Sequence, residues 1–85
     1  MSSFLDSTPQ TDFGLQPLDE VMTRLGLSNA DLVRVSTRQL THKTVQKGRK
    51  GRRLTLNAKR KILEALNAIS VEARFHLEEI FNYPS

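Results

Sequence analysis

The chain has 85 residues, a formal net charge of +4 and no cysteine. This length allows one small domain, and the lack of cysteine excludes disulfides and thiolate metal sites and fits a cytoplasmic location. The two histidines are far apart with no paired carboxylate beside them, which argues against zinc. No apolar run approaches the roughly 20 residues that span a bilayer, so no membrane partner is expected.

The basic residues are concentrated in one segment. Between residues 32 and 63 there are eleven Lys and Arg side chains and no carboxylate, whereas the segments on either side are acidic. This pattern predicts a focused positive surface that faces a negatively charged partner. A solvated basic face without a partner is the alternative, although ordinary protein surfaces mix the two signs.

Residues 1–15 combine Ser, Thr, Pro, Asp and Gly with isolated apolar side chains, and they predict a flexible leader before a domain over residues 16–83. One leader phenylalanine could dock on that domain. Pro17 suits the first position of a first helix, and Gly26 is expected to end it in a left-handed conformation. Between them a single apolar stripe contains Leu18, Val21, Met22 and Leu25.

A second helix is predicted after Ser28. Asp31 follows three residues later, and this is the Ser-x-x-Asp form of the capping box. Leu32 and the two valines after it supply the buried side of the helix. Residues 36–39 then break the apolar pattern, which indicates a turn.

A third helix is expected to begin after Thr41 as its cap. Leu40 before the cap and Val45 after it have the spacing of a hydrophobic staple. Gly48 and Gly51 are expected to end this short helix and to open a basic loop.

A fourth helix is predicted after Thr55 or Asn57, with an apolar face of Ala58, Ile62, Ala65 or Leu66, and Ile69. Basic residues 59–61 crowd its first turns, where the helix dipole favours acids, so they are expected to serve a partner or to be solvated. Ser70 is expected to cap a fifth helix over about residues 71–82. Its aromatic side chains either form a homodimer contact or pack on the chain's own helices: Phe75, Phe81 and Tyr83. The pattern as a whole predicts an all-α fold, a compact bundle of about five short helices.

This order of elements resembles the phage-repressor-type (Cro-like, lambda-repressor-like) helix-turn-helix DNA-binding family. The likeness is carried by LGLSNADLV (25–33), LTHKTVQKGRKG (40–51) and LNAKRKILEALN (56–67). It implies that the first stretch opens the scaffold helix of a helix-turn-helix. The second would be the recognition helix with its basic loop, and the third would pack across the back. Two departures from the family pattern are a turn about two residues longer than usual and Gly48 in place of a second apolar residue.

The resemblance further implies that the third helix enters the major groove of duplex DNA. Gln46 can then form a bidentate pair with adenine, and the lysines can donate to guanine. His42 could instead be a surface side chain without a partner. The residues expected to read base edges are Thr41, His42, Lys43, Thr44, Gln46 and Lys47. The residues expected to contact phosphates are Ser28, Asn29, Arg38, Arg49, Lys50, Arg52 and Arg53.

The expected function is sequence-specific binding of double-stranded DNA by a small bacterial or phage transcription regulator. It would act by operator occupancy, associated with the nucleoid, as a homodimer through the fifth helix and without a cofactor or small-molecule effector. The alternative is a protein-interaction module, an antitoxin or an adaptor, that works through the acidic fifth helix. RNA binding is weakened by the absence of any Phe, Tyr or Trp between Phe13 and Phe75. No nucleophile is paired with a base, so an enzyme is not expected.

Overall fold

The computed structural model describes residues 13–71 and 74–83. Five helices lie in these ranges: α1 (Pro17–Leu25), α2 (Asn29–Val35), α3 (His42–Lys50), α4 (Leu56–Ile69) and α5 (Leu77–Ile80). The predicted all-α bundle of about five short helices is confirmed. None of the described helices is both long enough and apolar enough to span a bilayer.

Local chemistry sets the end of α1 and the starts of α2, α3 and α4. Gly26 ends α1 at φ 72°, a conformation that side chains with a Cβ rarely adopt. At the start of α2, Ser28 and Asp31 form the predicted reciprocal capping box. Thr41 caps α3, and Thr55 rather than Asn57 caps α4 through an Oγ1 that accepts from the Ala58 amide at 3.1 Å.

The core lies where α2 packs against α3 and α4, and where α1 packs against α3 and α5. Leu40 and Val45 are both buried, as the predicted staple requires. Each large apolar side chain removed from water contributes about 1.5–3 kcal/mol to the stability of such a core. The largest fully buried side chains are Leu18, Met22, Leu32, Val45, Ile62, Leu66 and Ile80.

Helix α3 is longer than expected, because Gly48 lies inside it and is buried. The prediction that Gly48 ends the helix is therefore wrong. A Cβ at this position would lie 3.0 Å from Cδ1 of Ile62 and 3.3 Å from Cδ1 of Leu54. Glycine is used here for close packing against α4 and not for a turn. Gly51, at φ 89°, ends the helix as predicted.

The fifth helix is much shorter than the expected segment of about 71–82, and Ser70 does not cap it. Ser70 instead follows the end of α4, and its amide donates to the Leu66 carbonyl. The side chain of Asn67 then binds the backbone of Phe75 twice, since Oδ1 accepts from its amide at 2.8 Å and Nδ2 donates to its carbonyl at 3.1 Å. These two bonds compete with helical pairing, so α5 starts only after the extended residue His76. Residues 72 and 73 of the predicted segment lie outside the described residues.

The aromatic residues near residue 80 pack inside the protein's own core. Phe81 and Tyr83 are buried, and Phe75 is partly buried against them. The ring of Phe13 stacks on Tyr83 with 4.2 Å between centroids and 5° between planes. One phenylalanine of the expected leader is therefore docked on the domain, while residues 1–12 of that leader lie outside the described residues.

Candidate nucleic-acid interface

One face of α3 is exposed and strongly basic. Val45 and Gly48 point into the core, which leaves the opposite side of the helix in solvent. The exposed side chains follow the spacing i, i+3, i+4 and i+7, so they form one stripe along the helix. Together with Arg52 after the helix, they line a shallow depression: Lys43, Gln46, Lys47 and Lys50.

The first turn of α3 uses its two threonines for local structure. The Oγ1 atom of Thr41 accepts from the Thr44 amide at 3.1 Å, and the two hydroxyl oxygens are 3.0 Å apart. Thr41 is exposed and Thr44 is partly exposed. His42 is exposed at the first helical position. These three residues, predicted to read bases, stand at the end of α3 that follows the turn from α2.

The cations of the basic segment fall into a paired group and an unpaired group. Arg34, Arg38 and Arg49 each form an ion pair with a carboxylate. Within residues 13–71 and 74–83, no ion pair forms to the cationic groups on α3 and the loop that follows it: Lys43, Lys47, Lys50, Arg52 and Arg53. Arg60 and Lys61 on α4 also lack an ion pair among the described residues, so most but not all of the unpaired cations of the segment lie on α3 and its C-terminal loop.

Arg49, which was predicted to contact phosphate, binds side chains of two other helices. Its Nε donates to Oδ1 of Asp19 on α1 at 2.7 Å, and its Nη1 donates to Oδ1 of Asn29 on α2 at 2.8 Å. Only 19% of its side chain is exposed. Arg49 thus ties three helices together and has little surface left for an external anion.

Asn29, also predicted at a phosphate, uses its side chain on α3. While Oδ1 accepts from Arg49, Nδ2 donates to Oε1 of Gln46 at 2.9 Å. The amide of Ser28, the residue before it, donates to Oδ2 of Asp31 at 2.8 Å. This bond is the main reason that the pKa of Asp31 is below its ordinary value. A carboxylate therefore already occupies the position where Ser28 was expected to present its amide to phosphate.

Arg38 lies in the turn between α2 and α3 and reaches α4. Its Nη1 donates to Oε2 of Glu64 at 3.0 Å, and its Nη2 donates to Oδ1 of Asn57 at 2.7 Å. The side chain remains 37% exposed. The long turn is thus fastened to the helix behind it by the residue that was predicted to bind phosphate.

The loop with Arg52 and Arg53 is held from behind by Tyr83. The Tyr83 hydroxyl donates to the Arg52 carbonyl at 3.0 Å and accepts from the Leu54 amide at 3.1 Å. The Phe13 amide donates to the Gly51 carbonyl at 2.8 Å. Both ends of the described chain therefore anchor the backbone of a loop whose two arginine side chains are exposed.

Lys59 does not face solvent or a partner, in contrast to the prediction for residues 59–61. It is 3% exposed, and its Nζ donates to the Tyr83 carbonyl at 3.0 Å. The same nitrogen lies 4.2 Å from the ring centroid of Tyr83 and 5.4 Å from that of Phe81. Burial, with a smaller contribution from the charge of Arg53, lowers the pKa of Lys59. A signal was present in the sequence, because Lys59, Ile62, Leu66 and Ile69 share the apolar register of α4.

Within residues 13–71 and 74–83, no three His, Asp or Glu side chains are grouped so that they could hold a metal ion. No protein-family model, curated protein or solved structure matches the chain.

Proposed function

We propose that this protein binds double-stranded DNA in a sequence-specific manner through α3. The observation that carries the proposal is the separation of the cations. Arg38 and Arg49 pair with carboxylates on other helices and hold the fold together, whereas five cations on α3 and the loop after it have no ion pair among the described residues. Cations on one exposed helix that are not engaged in ion pairs can neutralise phosphates and donate to base acceptors of a duplex.

In the proposed interface, the residues of α3 and of the loop after it have two different functions. Lys43, Gln46 and Lys47 face base edges, because they follow one another along the exposed stripe of the helix. Lys50, Arg52 and Arg53 bind phosphates, because they extend from the last turn into the loop. Arg38 and Arg49 act indirectly, since they hold the turn and α3 in position. The helix pair α2 and α3 would thus work as a helix-turn-helix of the phage-repressor type, in a regulator that acts by occupying an operator.

A duplex fits this surface better than a single strand. Single-stranded nucleic acids bind to aromatic side chains on which unstacked bases can stack. The sequence has no Phe, Tyr or Trp between Phe13 and Phe75, and Phe81 and Tyr83 are buried. The exposed stripe offers cations and one amide instead.

The test is a fluorescence-anisotropy titration of the full chain with random-sequence duplex DNA at several salt concentrations. The three cations assigned to phosphates, Lys50, Arg52 and Arg53, predict a log–log slope of affinity against salt of about −3. Lys50→Ala should reduce the magnitude of this slope by about one unit. Arg24→Ala is the matched control, because Arg24 is an exposed cation in the last turn of α1, distant along that helix from Asp19, which contacts α3. It should leave the slope unchanged.

Absence of binding at low salt, or equal slopes for both variants, would contradict the proposal. The alternative would then be a protein-interaction module, an antitoxin or an adaptor. One observation favours it, an apolar depression where the end of α1 meets the end of α4, in which Val71 is 92% exposed and Leu25 is 43% exposed. Contiguous exposed apolar surface is typical of protein-binding sites.

A further inference from the structure

A chain of hydrogen bonds runs from Asp19 on α1, through Arg49 and Asn29, to Gln46 on the exposed stripe of α3. Asp19 accepts from Arg49, Arg49 donates to Asn29, and Asn29 donates to Gln46, with distances of 2.7, 2.8 and 2.9 Å. A carboxylate can only accept and a guanidinium can only donate. The direction of every bond in the chain is therefore determined at its start.

This direction decides which end of the Gln46 amide faces outward. Because Arg49 can only donate, the Asn29 oxygen must face it, and the Asn29 amino group must face Gln46. Gln46 then uses its carbonyl oxygen, Oε1, inside the protein. Its amino group, Nε2, is left for an external partner, and Gln46 itself is exposed.

The exposed stripe of α3 consequently presents hydrogen-bond donors to an external partner. Lys43 precedes Gln46 by three positions and Lys47 follows it directly, and an ammonium group has no acceptor. In the major groove, guanine presents two acceptors, N7 and O6, whereas adenine and cytosine each present an amino donor. The bidentate pair of glutamine with adenine requires the glutamine carbonyl, and here that carbonyl faces Asn29.

We infer that Asn29 is a positioning residue that makes Gln46 a hydrogen-bond donor and so directs the exposed stripe toward guanine. This inference rests on the proposed binding of duplex DNA and names the base class that the same surface selects. It replaces the adenine pairing expected for Gln46 from the sequence. Asn29 acts through Gln46, without touching the base itself.

The test is an enrichment of binding sites from a library of randomised duplexes, carried out with the parent protein and with Asn29→Asp. Aspartate keeps an oxygen for Arg49, but it cannot donate to Gln46. The Gln46 amide should then reverse, donate to Asp at position 29, and turn its carbonyl outward. We expect the parent to enrich guanine at the position that Gln46 contacts. The variant should change the preference there by about tenfold toward adenine or cytosine and keep the other positions.

A second variant tests the same inference without changing Asn29. Gln46→Glu gives Asn29 an oxygen to bind and presents the other carboxylate oxygen outward, so it should also shift the same position from guanine toward adenine or cytosine. Asn57→Asp is the matched control, because it adds the same charge and keeps an oxygen for Arg38, but it lies on α4. It should lower affinity for all duplexes by a similar factor and leave base preference unchanged.

The outcomes separate this inference from the proposed function. If the parent enriches a site and both variants enrich the same site, the positioning role of Asn29 is overturned while DNA binding stands. If the parent enriches no site, sequence-specific DNA binding fails and the inference fails with it. If Asn57→Asp changes the same position as Asn29→Asp, the effect comes from charge and the inference is also overturned.

Discussion

At the scale of single residues, Lys59 is a lysine whose titratable amine is buried. Its ammonium group has one carbonyl and two aromatic rings as partners. Burial makes the charged form less favourable in the folded protein, so the pKa is lowered from 10.5. The unfolded chain binds this proton more tightly than the folded protein does, and protonation therefore favours unfolding.

Replacement of Lys59 by methionine should consequently change how stability depends on pH. The free energy of unfolding of the parent, relative to Lys59→Met, should rise as pH increases through the lowered pKa of Lys59 toward 10.5, by at most about 1.4 kcal/mol per pH unit. Urea denaturation at a series of pH values measures this difference. Tyr83, whose pKa is raised by burial, is present in both proteins, so its own titration largely cancels. A difference that stays constant across the range would show that the pKa of Lys59 is not lowered.

At the scale of elements, the junction of α3 and α4 depends on the missing side chain of Gly48. The nearest atoms to a Cβ there belong to Ile62, Leu54 and Phe81, at 3.0, 3.3 and 3.4 Å. A larger residue could be accommodated only if these buried side chains moved. Close contact between the two helices also fixes how far the exposed stripe of α3 projects.

Gly48→Val should therefore destabilise the protein by about 1–3 kcal/mol through overpacking. Lys47→Val is the matched control, since it places the same β-branched side chain at the neighbouring exposed position of the same helix. The control should change the free energy of unfolding much less. Thermal or urea denaturation of the two variants measures the comparison. Equal stabilities would mean that α3 can shift away from α4 without cost.

The sequence predicted those elements whose ends are set by local chemistry. Pro17 acts through its fixed backbone angle, and Ser28, Thr41 and Thr55 accept from amides three positions on. The starts of α1 to α3 could therefore be placed, and the start of α4 could be narrowed to Thr55 or Asn57. The fifth helix could not, because its start depends on Asn67 binding Phe75 across a segment that the periodicity assigned to helix.

The same distinction applies to the candidate interface. The exposure of Lys43, Gln46 and Lys47 followed from helical spacing. The pairing of Arg49 with Asp19 and of Arg38 with Glu64 did not, because these partners are distant in the sequence. The basic residues expected to contact phosphates therefore could not be told apart before the fold was known. The structure divides them into those that hold helices together and those left without an ion pair among the described residues.

At the scale of the whole molecule, Tyr83, the last described residue, binds the backbone of the loop after α3. Tyr83→Phe removes the acceptor of the Leu54 amide and the donor to the Arg52 carbonyl together. The buried amide is then left without its partner, and we expect a loss of about 1–3 kcal/mol in the free energy of unfolding.

Hydrogen exchange localises this effect. In Tyr83→Phe the Leu54 amide should exchange faster even when allowance is made for the loss of global stability. The Val45 amide, bonded to the Thr41 carbonyl, is the internal control and should change only with global stability. Identical protection of Leu54 in both proteins would show that the hydroxyl does not hold the loop.

The bonds from Tyr83 also set an order of events during synthesis. A ribosome makes α1 to α4 and the arginine loop before it reaches residue 83, and nascent chains begin to fold from their N-terminal side. Phe13, made early, has its stacking partner only when Tyr83 arrives. A nascent chain can therefore hold all the cations of the stripe while the backbone between Arg52 and Leu54 is still unsecured. The geometry of the arginine loop can therefore be completed only after Tyr83 has been synthesised and can reach the backbone of Arg52 and Leu54.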